Sequence, residues 1–296
     1  MAAKTKNAGS GPLLVAWDGS PGSRAAIEEA VRIAPHGEIV LAFVIHETRA
    51  HQTTTIDREA ALDALEHELA SLRERGVRAR MRIAAGAVAP LLLKIVREEQ
   101  PSLVLVGAKA FGPDAAPPGL VARTLLRKAP APALVVRATG TSAAPGSVWP
   151  RRIIVGIDFS PASTAALDQA ALLAMREKTS VTLLHVTDST GQRVPPATAQ
   201  ARLEEIARAF QSAGIPATAC VVFGSPEKAL VAEAESDPSA IVVVGTRTRG
   251  AFRRRLLGSV AEAVVHRAPG AVLVAHPTLR PMEGAVSLAL DTPPLP

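Results

Sequence analysis

The chain has 296 residues, of which 48% are hydrophobic and 3% aromatic, and Cys220 is its single cysteine. One cysteine excludes an internal disulfide framework, and apolar runs far short of the roughly 20 residues that span a bilayer exclude a transmembrane helix. The small, polar segment from Met1 to Gly11 predicts no secretory signal, so we expect a soluble, cytoplasmic protein without a membrane partner.

The net charge of +6 raises nucleic acid as a partner. Most arginines alternate with carboxylates along predicted helices, which is typical of solvated helix faces. One arginine cluster differs, and it consists of Arg247, Arg249, Arg253, Arg254 and Arg255. No helix-turn-helix, zinc-finger or RNA-binding motif accompanies the cluster, so the sequence does not favour nucleic-acid binding.

The sequence repeats itself at a spacing of about 140 residues, which indicates tandem domains. Asp18 follows the first apolar run, and Asp158 follows its counterpart 140 residues later. Gly107 ends another apolar run and is matched by Gly245, a step of 138 residues.

Each half alternates short runs of Val, Ile and Leu with amphipathic stretches. The predicted strands are 13–17, 39–45, 77–83, 103–107 and 133–137, then 153–157, 180–186, 217–222, 240–245 and 271–275. The predicted helices are 23–34, 57–75, 88–99 and 120–128, then 162–176, 198–213, 226–235 and 259–267. This order predicts the α/β class, with two doubly wound domains that each hold a five-stranded parallel sheet covered by helices on both faces. We expect domains at 12–138 and 151–276, a linker at 139–150 and a flexible tail at 277–296.

A ligand of such a sheet lies beyond the carboxyl ends of the strands, where the strand order reverses. Asp158 follows the first strand of the second half and Gly245 ends the fourth, so we expect them to face each other. Gly258 and Ser259 open a helix, whose free N–H groups suit phosphate. Each residue also has a plainer interpretation, because Gly245 can simply end a strand while Asp158 and Ser259 can cap helices. No P-loop and no dinucleotide-binding GxGxxG motif occurs.

The strand end at Asp158, the helix start at Pro226 and the segment from Gly245 to Val260 resemble the universal stress protein family. Its ATP-binding members carry the pattern G-x2-G-x9-G-[S/T], and here Thr248 replaces the second glycine. The resemblance implies ATP, accompanied by Mg²⁺, or a related adenine nucleotide in the second domain. It implies adenine and ribose contacts at Gly156, Asp158, Val186 and Val244, and phosphate contacts at Gly245, Arg247, Thr248, Gly258, Ser259 and Val260.

The first half departs further from this pattern. Ala110 stands where the second glycine belongs, Leu120 stands where the hydroxyl belongs, and prolines stiffen the segment 111–118. We therefore expect a degenerate ligand loop in the first domain. The family resemblance also implies that the two domains pair around a pseudo-twofold axis, and further pairing into a homodimer is left open.

Catalytic motifs are not found in the sequence. The seven histidines are scattered, His185 has the position of a structural histidine, and Cys220 has that of a small buried hydrophobe. We expect no enzyme and no metal site, but a stress-response or regulatory protein that binds a nucleotide. The alternative is a nucleotide-free protein-interaction module of the same fold, whose protein partners the sequence does not identify.

Overall fold

The computed structural model describes residues 11–46, 55–108, 119–137, 152–187, 194–249 and 254–276. The chain divides into two units, residues 1–138 and 139–296. The predicted linker at 139–150, the segment 111–118 and the tail at 277–296 lie outside the described residues, so what the sequence predicts for them stays a prediction.

Unit one alternates strands and helices throughout. Its elements are β1 (Leu13–Trp17), α1 (Pro21–Ile33), β2 (Glu38–His46), α2 (Thr55–Glu74), β3 (Arg78–Gly86), α3 (Val88–Glu99), β4 (Leu103–Gly107), α4 (Leu120–Lys128) and β5 (Ala133–Val136). The strands form a parallel sheet in the order β3-β2-β1-β4-β5.

Unit two follows the same plan with one addition. Its elements are β6 (Arg152–Ile157), α5 (Pro161–Glu177), β7 (Ser180–Thr187), α6 (Pro196–Ser212), β8 (Ala217–Phe223), α7 (Pro226–Glu235), β9 (Ile241–Gly245), β10 (Arg247–Arg249), β11 (Arg254–Leu256), α8 (Ser259–Arg267) and β12 (Val272–Ala275). The parallel sheet has the order β8-β7-β6-β9-β12.

The strand order confirms the predicted α/β fold with two doubly wound, five-stranded sheets. The chain moves outward from β6 through β7 to β8 and then returns to β9 on the other side of β6. Because crossovers between parallel strands are right-handed, this reversal puts the helices on opposite faces of the sheet. The carboxyl ends of β6 and β9 are therefore neighbours at the switch point, as the sequence predicts.

The helices after the first strand of each unit begin in the same way. Ser160 caps α5 by accepting a hydrogen bond from the Ser163 amide at 3.3 Å, and Ser20 caps α1 by accepting one from the Ser23 amide at 3.2 Å. A proline follows each cap at the first helical position, where its fixed φ and missing N–H cost nothing. Local sequence thus fixes where the chain leaves the sheet.

The antiparallel hairpin of β10 and β11 is absent from the predicted elements. Its register places Arg247 opposite Leu256, Thr248 opposite Arg255, and Arg249 opposite Arg254. The segment lacks the apolar alternation that predicts a half-buried strand, so its sequence does not indicate the hairpin.

The cores are aliphatic, as the scarcity of aromatic residues predicts. Val, Ile, Leu and Ala fill the central strands, and Phe210 is the largest fully buried side chain in the described part of the chain. None of the described helices combines the length and the hydropathy needed to cross a membrane.

Candidate functional site

Unit two contains a cavity of about 410 Å³ at the carboxyl ends of its central strands. This volume is in the range of small-molecule sites. Eight of the ten residues named from the sequence line it, and they are Gly156, Asp158, Val186, Val244, Gly245, Gly258, Ser259 and Val260. The other two, Arg247 and Thr248, lie in β10, which begins two residues after Gly245.

Asp158 lies at the exposed rim of this cavity, directly after β6. Its Oδ1 accepts hydrogen bonds from the amide and the hydroxyl of Ser160. Asp18 makes the same turn in unit one, where its Oδ1 accepts from the Ser20 amide at 3.0 Å. The carboxylate therefore supports the start of α5, as the plainer interpretation of the sequence has it. Both of these hydrogen bonds use Oδ1 and not Oδ2.

The floor of the cavity is apolar and depends on the absence of a side chain at Gly156. A Cβ at this position would lie 3.0 Å from Leu230 Cδ1 and 3.5 Å from Val244 Cγ1. Both of these residues line the cavity. The floor suits the flat, largely apolar face of a nucleobase better than a charged group.

The amino terminus of α8 is also part of the cavity wall. Gly258 is the N-cap residue, has extended backbone angles and provides no side-chain cap. The first N–H groups of a helix have no partner within the helix, so an uncapped end can donate them to an anion. Ser259, Val260 and Ala261 bring this end to the cavity wall, and Ser259 is exposed.

Gly245 has a packing role that the sequence does not indicate. A Cβ there would lie only 2.2 Å from the Ala162 carbonyl oxygen, and its expected role in the close approach of a ligand stays a prediction. Gly107 has the same position in unit one, where a Cβ would lie 2.3 Å from the Gly22 carbonyl carbon. Glycine is needed because the strand end packs directly against the first turn of the helix that follows the first strand of the unit, which is α5 in unit two and α1 in unit one.

Thr248 does not occupy the left-handed turn that a glycine in the family pattern would permit. It is part of strand β10, opposite Arg255. Extended backbone suits a β-branched residue, whereas a positive φ would strain it. Thr248 therefore adopts a backbone conformation that suits a β-branched residue.

His185 is a residue whose role the sequence gives incompletely. It is buried, and its Nδ1 donates to the Ile157 carbonyl at 2.8 Å, as expected of a structural histidine. It also lines the cavity. Its ring packs against Phe159 with centroids 4.9 Å apart, and the guanidinium of Arg202 lies 5.6 Å from the Phe159 ring centroid.

Phe159 has a φ of +58°, which is unusual for a bulky side chain. Gly19 has the same position in unit one with a φ of +75°, and the ring of Trp17 lies 3.7 Å from where a Cβ of Gly19 would be. Each unit thus has an aromatic ring near the turn that follows its first strand. The ring is that of Phe159 in unit two and that of Trp17 in unit one, which are not at matching sequence positions. The contacts with His185 and Arg202 offset the backbone strain of Phe159, which is of the order of 1–3 kcal/mol.

Several lining residues were not identified from the sequence. They belong to strand ends and helix starts around the switch point: Ile157, Ser160, Ala162, Ser163, Leu184, His185, Thr187, Val194, Gly224, Pro226, Leu230 and Ala261. Their positions at the carboxyl ends of β6 and β7 or at the start of α7 are the signal that could have found them. Among the described residues, no group of three or more His, Cys, Asp or Glu side chains could hold a metal ion.

Unit one differs at the matching positions. Ala16 replaces Gly156 at the end of the first strand and is buried. Leu120 replaces Ser259 at the helix start, where 78% of its surface is exposed. The helix end itself is the same, because Gly119 is an N-cap without a side-chain hydrogen bond. Unit one therefore lacks the hydroxyl and the glycine floor that shape the cavity of unit two.

Comparison with known proteins finds one family along both units. The model of the Universal stress protein family matches residues 10–137 and 150–276. Among curated relatives, Universal stress protein Rv1996 of Mycobacterium tuberculosis is 28% identical over 93% of this chain and 97% of its own length. Universal stress protein Rv2623 of the same organism is 29% identical over 90% of this chain and 97% of its own length.

A solved structure extends the similarity to the fold. The crystal structure of a universal stress protein from Archaeoglobus fulgidus superposes with a TM-score of 0.74 at 22% identity. The match covers 90% of this chain and 99% of that chain.

Proposed function

Since the chain belongs to the universal stress protein family, we propose that its second unit binds ATP or a related adenine nucleotide. In this proposal the protein is a stress-response or regulatory binding protein, in which the second unit takes the ligand and the first serves a structural role. The proposal starts from the two domains of this family in the chain. The groups that line the cavity of unit two are those that would bind the nucleotide.

The observation that carries the proposal is the set of chemical groups that line one cavity. They are the carboxylate of Asp158, the apolar side chains of Leu230 and Val244, and the amino terminus of α8, which has no side-chain cap. A nucleotide has three parts that match these groups in turn, since ribose hydroxyls donate hydrogen bonds, a purine ring is flat, and phosphates are anionic.

Each group has a specific task in this proposal. Asp158 Oδ2 accepts a ribose hydroxyl while Oδ1 holds the turn at Ser160. Leu230 and Val244 contact the base over the space that Gly156 leaves open. The amides at the start of α8 and the hydroxyl of Ser259 donate to phosphate oxygens. Mg²⁺ enters with the phosphates of ATP, because the described residues provide no metal-binding group of their own.

The test is calorimetric titration of ATP with Mg²⁺ into the wild type and into Asp158→Asn. Asparagine keeps an acceptor for the Ser160 amide and removes the charge, so the turn persists while the ribose contact weakens. A hydrogen bond to a charged group is worth about 1 kcal/mol more than a neutral one, so the affinity should fall by roughly fivefold.

The matched control is Asp18→Asn, which changes the equivalent turn in unit one. It should leave the ATP affinity unchanged. Absence of heat at millimolar ATP with the wild type would overturn the proposal and favour the nucleotide-free interaction module. Equal losses in both variants would show that the carboxylate acts through folding and not through the ligand.

A further inference from the structure

We propose that strand β8 is an interface for a second copy of this chain, whose own β8 pairs with it in an antiparallel arrangement. The strand lies at the edge of the sheet of unit two and, among the described strands, has only β7 as a hydrogen-bonded neighbour. None of the residues of β8 lines the cavity, so this interface does not depend on the proposed nucleotide binding.

The composition of β8 leaves its outer edge ready to pair. Its seven residues, Ala217–Phe223, include no charged side chain. Phe223 at the end of the strand is a large apolar residue that is 68% exposed. An edge strand is a template for another strand, and proteins commonly prevent this pairing with charged side chains. The strand has none of the charges that would keep a second strand away.

The edge strand of unit one, β3, has such charges. Arg80 and Arg82 form ion pairs of 2.5–3.0 Å with the carboxylates beside them, which are Glu38, Glu98 and Glu99. The strand registers of the two units match Arg80 with Thr218 and Arg82 with Cys220. The same fold thus carries charges at one edge and has uncharged residues at the equivalent positions of the other, which indicates that the edge of unit two has a partner.

Backbone hydrogen bonds show which groups of β8 point away from β7. The Pro216 carbonyl accepts from the Val181 amide at 2.8 Å, and the Gly224 amide donates to the Thr187 carbonyl at 3.0 Å. Because successive residues of a strand direct their N–H and C=O groups to opposite sides, the even-numbered residues of this stretch bond to β7. The outward-pointing groups belong to Ala217, Ala219, Val221 and Phe223.

A second β8 fits this pattern when the two strands are antiparallel and centred on Cys220. Ala219 then lies opposite Val221 of the second copy, and both residues have outward-pointing groups that can exchange hydrogen bonds. Cys220 lies opposite Cys220 of the second copy in a pair without hydrogen bonds, where Cα atoms are about 4.5 Å apart. Every pair in this register joins uncharged side chains, whereas two copies of β3 would place arginine against arginine.

A second copy is therefore the occupant that suits this edge. A twofold contact covers the edge of both copies at once, and it brings no like charges together although each chain has a net charge of +6. A seven-residue strand buries less surface than the roughly 1,200–2,000 Å² of a stable interface. We therefore expect a weak pair that dissociates on dilution.

The experiment is analytical ultracentrifugation of the full chain without nucleotide, at protein concentrations from about 1 to about 300 μM, which covers weak association. The test variant is Thr218→Arg, which gives β8 the residue that unit one has at Arg80. Thr218 is exposed, so the folded monomer accepts the longer side chain. The control is Ala85→Arg, which adds the same charge at an exposed position of β3.

The wild type should change from monomer to dimer as its concentration rises. Thr218→Arg should raise the dissociation constant by about tenfold or more, because the arginines of both copies would lie within the paired strands. Ala85→Arg should retain the dissociation constant of the wild type. Circular dichroism should show that both variants melt like the wild type, so that a loss of pairing is not a loss of folding.

Cys220 reports the register, because it is the single cysteine of the chain. Diamide removes two electrons and two protons from a pair of thiols and so forms a disulfide, which requires Cα atoms about 4.4–6.8 Å apart. The wild type should give a covalent dimer on a non-reducing gel. Cys220→Ser should give none and should still pair in the ultracentrifuge, whereas Thr218→Arg should be cross-linked at least several times more slowly.

Three results would overturn the inference. A dimer that persists unchanged in Thr218→Arg, or one that diamide does not link through Cys220, would place the contact elsewhere on the chain. A monomer at every concentration would exclude the second copy, and protection of the Ala219 and Val221 amides from hydrogen exchange in that monomer would assign the edge to another segment of the same chain. Because no nucleotide is present, each of these failures leaves the proposed nucleotide binding standing.

Discussion

Replacement of Gly245 by alanine should destabilise unit two whether or not a nucleotide is present. The new Cβ would lie 2.2 Å from the Ala162 carbonyl oxygen and 2.4 Å from its carbonyl carbon, whereas ordinary contact begins at 3.4 Å. The opposing atoms are backbone, so no rotamer change relieves the overlap. The strand end and the first turn of α5 must instead move apart by more than about 1 Å, which is comparable to severe overpacking of a core.

Overpacking costs about 1–3 kcal/mol, and the rigid opposing backbone puts this substitution near 3 kcal/mol. For a unit of this size, 1 kcal/mol corresponds to roughly 2–4 °C in melting temperature, so Gly245→Ala should lower the transition of unit two by about 6–12 °C. Thermal unfolding without nucleotide, followed by circular dichroism, measures this shift.

Gly107→Ala is the matched variant, because a Cβ there would lie 2.3 Å from the Gly22 carbonyl carbon of unit one. It should destabilise unit one to a similar degree. If Gly245→Ala melted like the wild type and only its ATP affinity fell, the packing explanation would be refuted. The glycine would then be needed for ligand binding.

Two further predictions concern unit two. Gly156→Ala should lower ATP affinity by about three- to tenfold, because the new Cβ would enter the cavity floor beside Leu230. It should have little effect on stability, because Ala16 at the matching position of unit one shows that the fold accepts alanine. Unchanged affinity by calorimetry would exclude this floor as the base site. Burial raises the pKa of Asp168 above its ordinary value of 3.8, so its ionisation opposes folding as pH rises through the raised pKa. Asp168→Asn should therefore raise the urea midpoint at pH 7 and lose this gain well below pH 3.8, whereas Glu28→Gln, which breaks the 2.7 Å pair with Arg75, should give no gain.

Sequence patterns predicted the fold because its determinants are local. Continuous runs of Val, Ile and Leu predict buried parallel strands, and the amphipathic stretches between them predict helices. The strand order then follows from right-handed crossovers. These rules operate within a few residues or within one connection, so one sequence suffices to apply them.

The parts that sequence did not predict depend on contacts between distant segments. Gly245 packs closely against Ala162, which is 83 positions away in the sequence. The residues around Gly245 in the sequence do not indicate this contact. The stacking of Phe159 on His185 likewise depends on β6 and β7 being neighbours. The hairpin was missed because Arg247–Arg249 and Arg254–Leu256 have a composition that is typical of a solvated loop.

Thr248→Gly would restore the residue that the family pattern has at this position. In the structure Thr248 is part of an antiparallel strand, and glycine within a strand weakens it. We therefore expect the substitution to loosen the hairpin of β10 and β11.

Comparison of the two units separates structural from ligand-binding residues without any other sequence. Unit one has Gly107 and unit two has Gly245 at the same position, and a Cβ at either residue would overlap the backbone of the helix that follows the first strand of its unit. The fold itself therefore requires both glycines. Ser259 and Gly156 line the cavity of unit two, and their counterparts in unit one are a leucine that is 78% exposed and an alanine. A glycine that both units share thus says little about a ligand, although it belongs to the nucleotide pattern. The hydroxyl and the open floor, which unit two alone retains, are the stronger support for nucleotide binding.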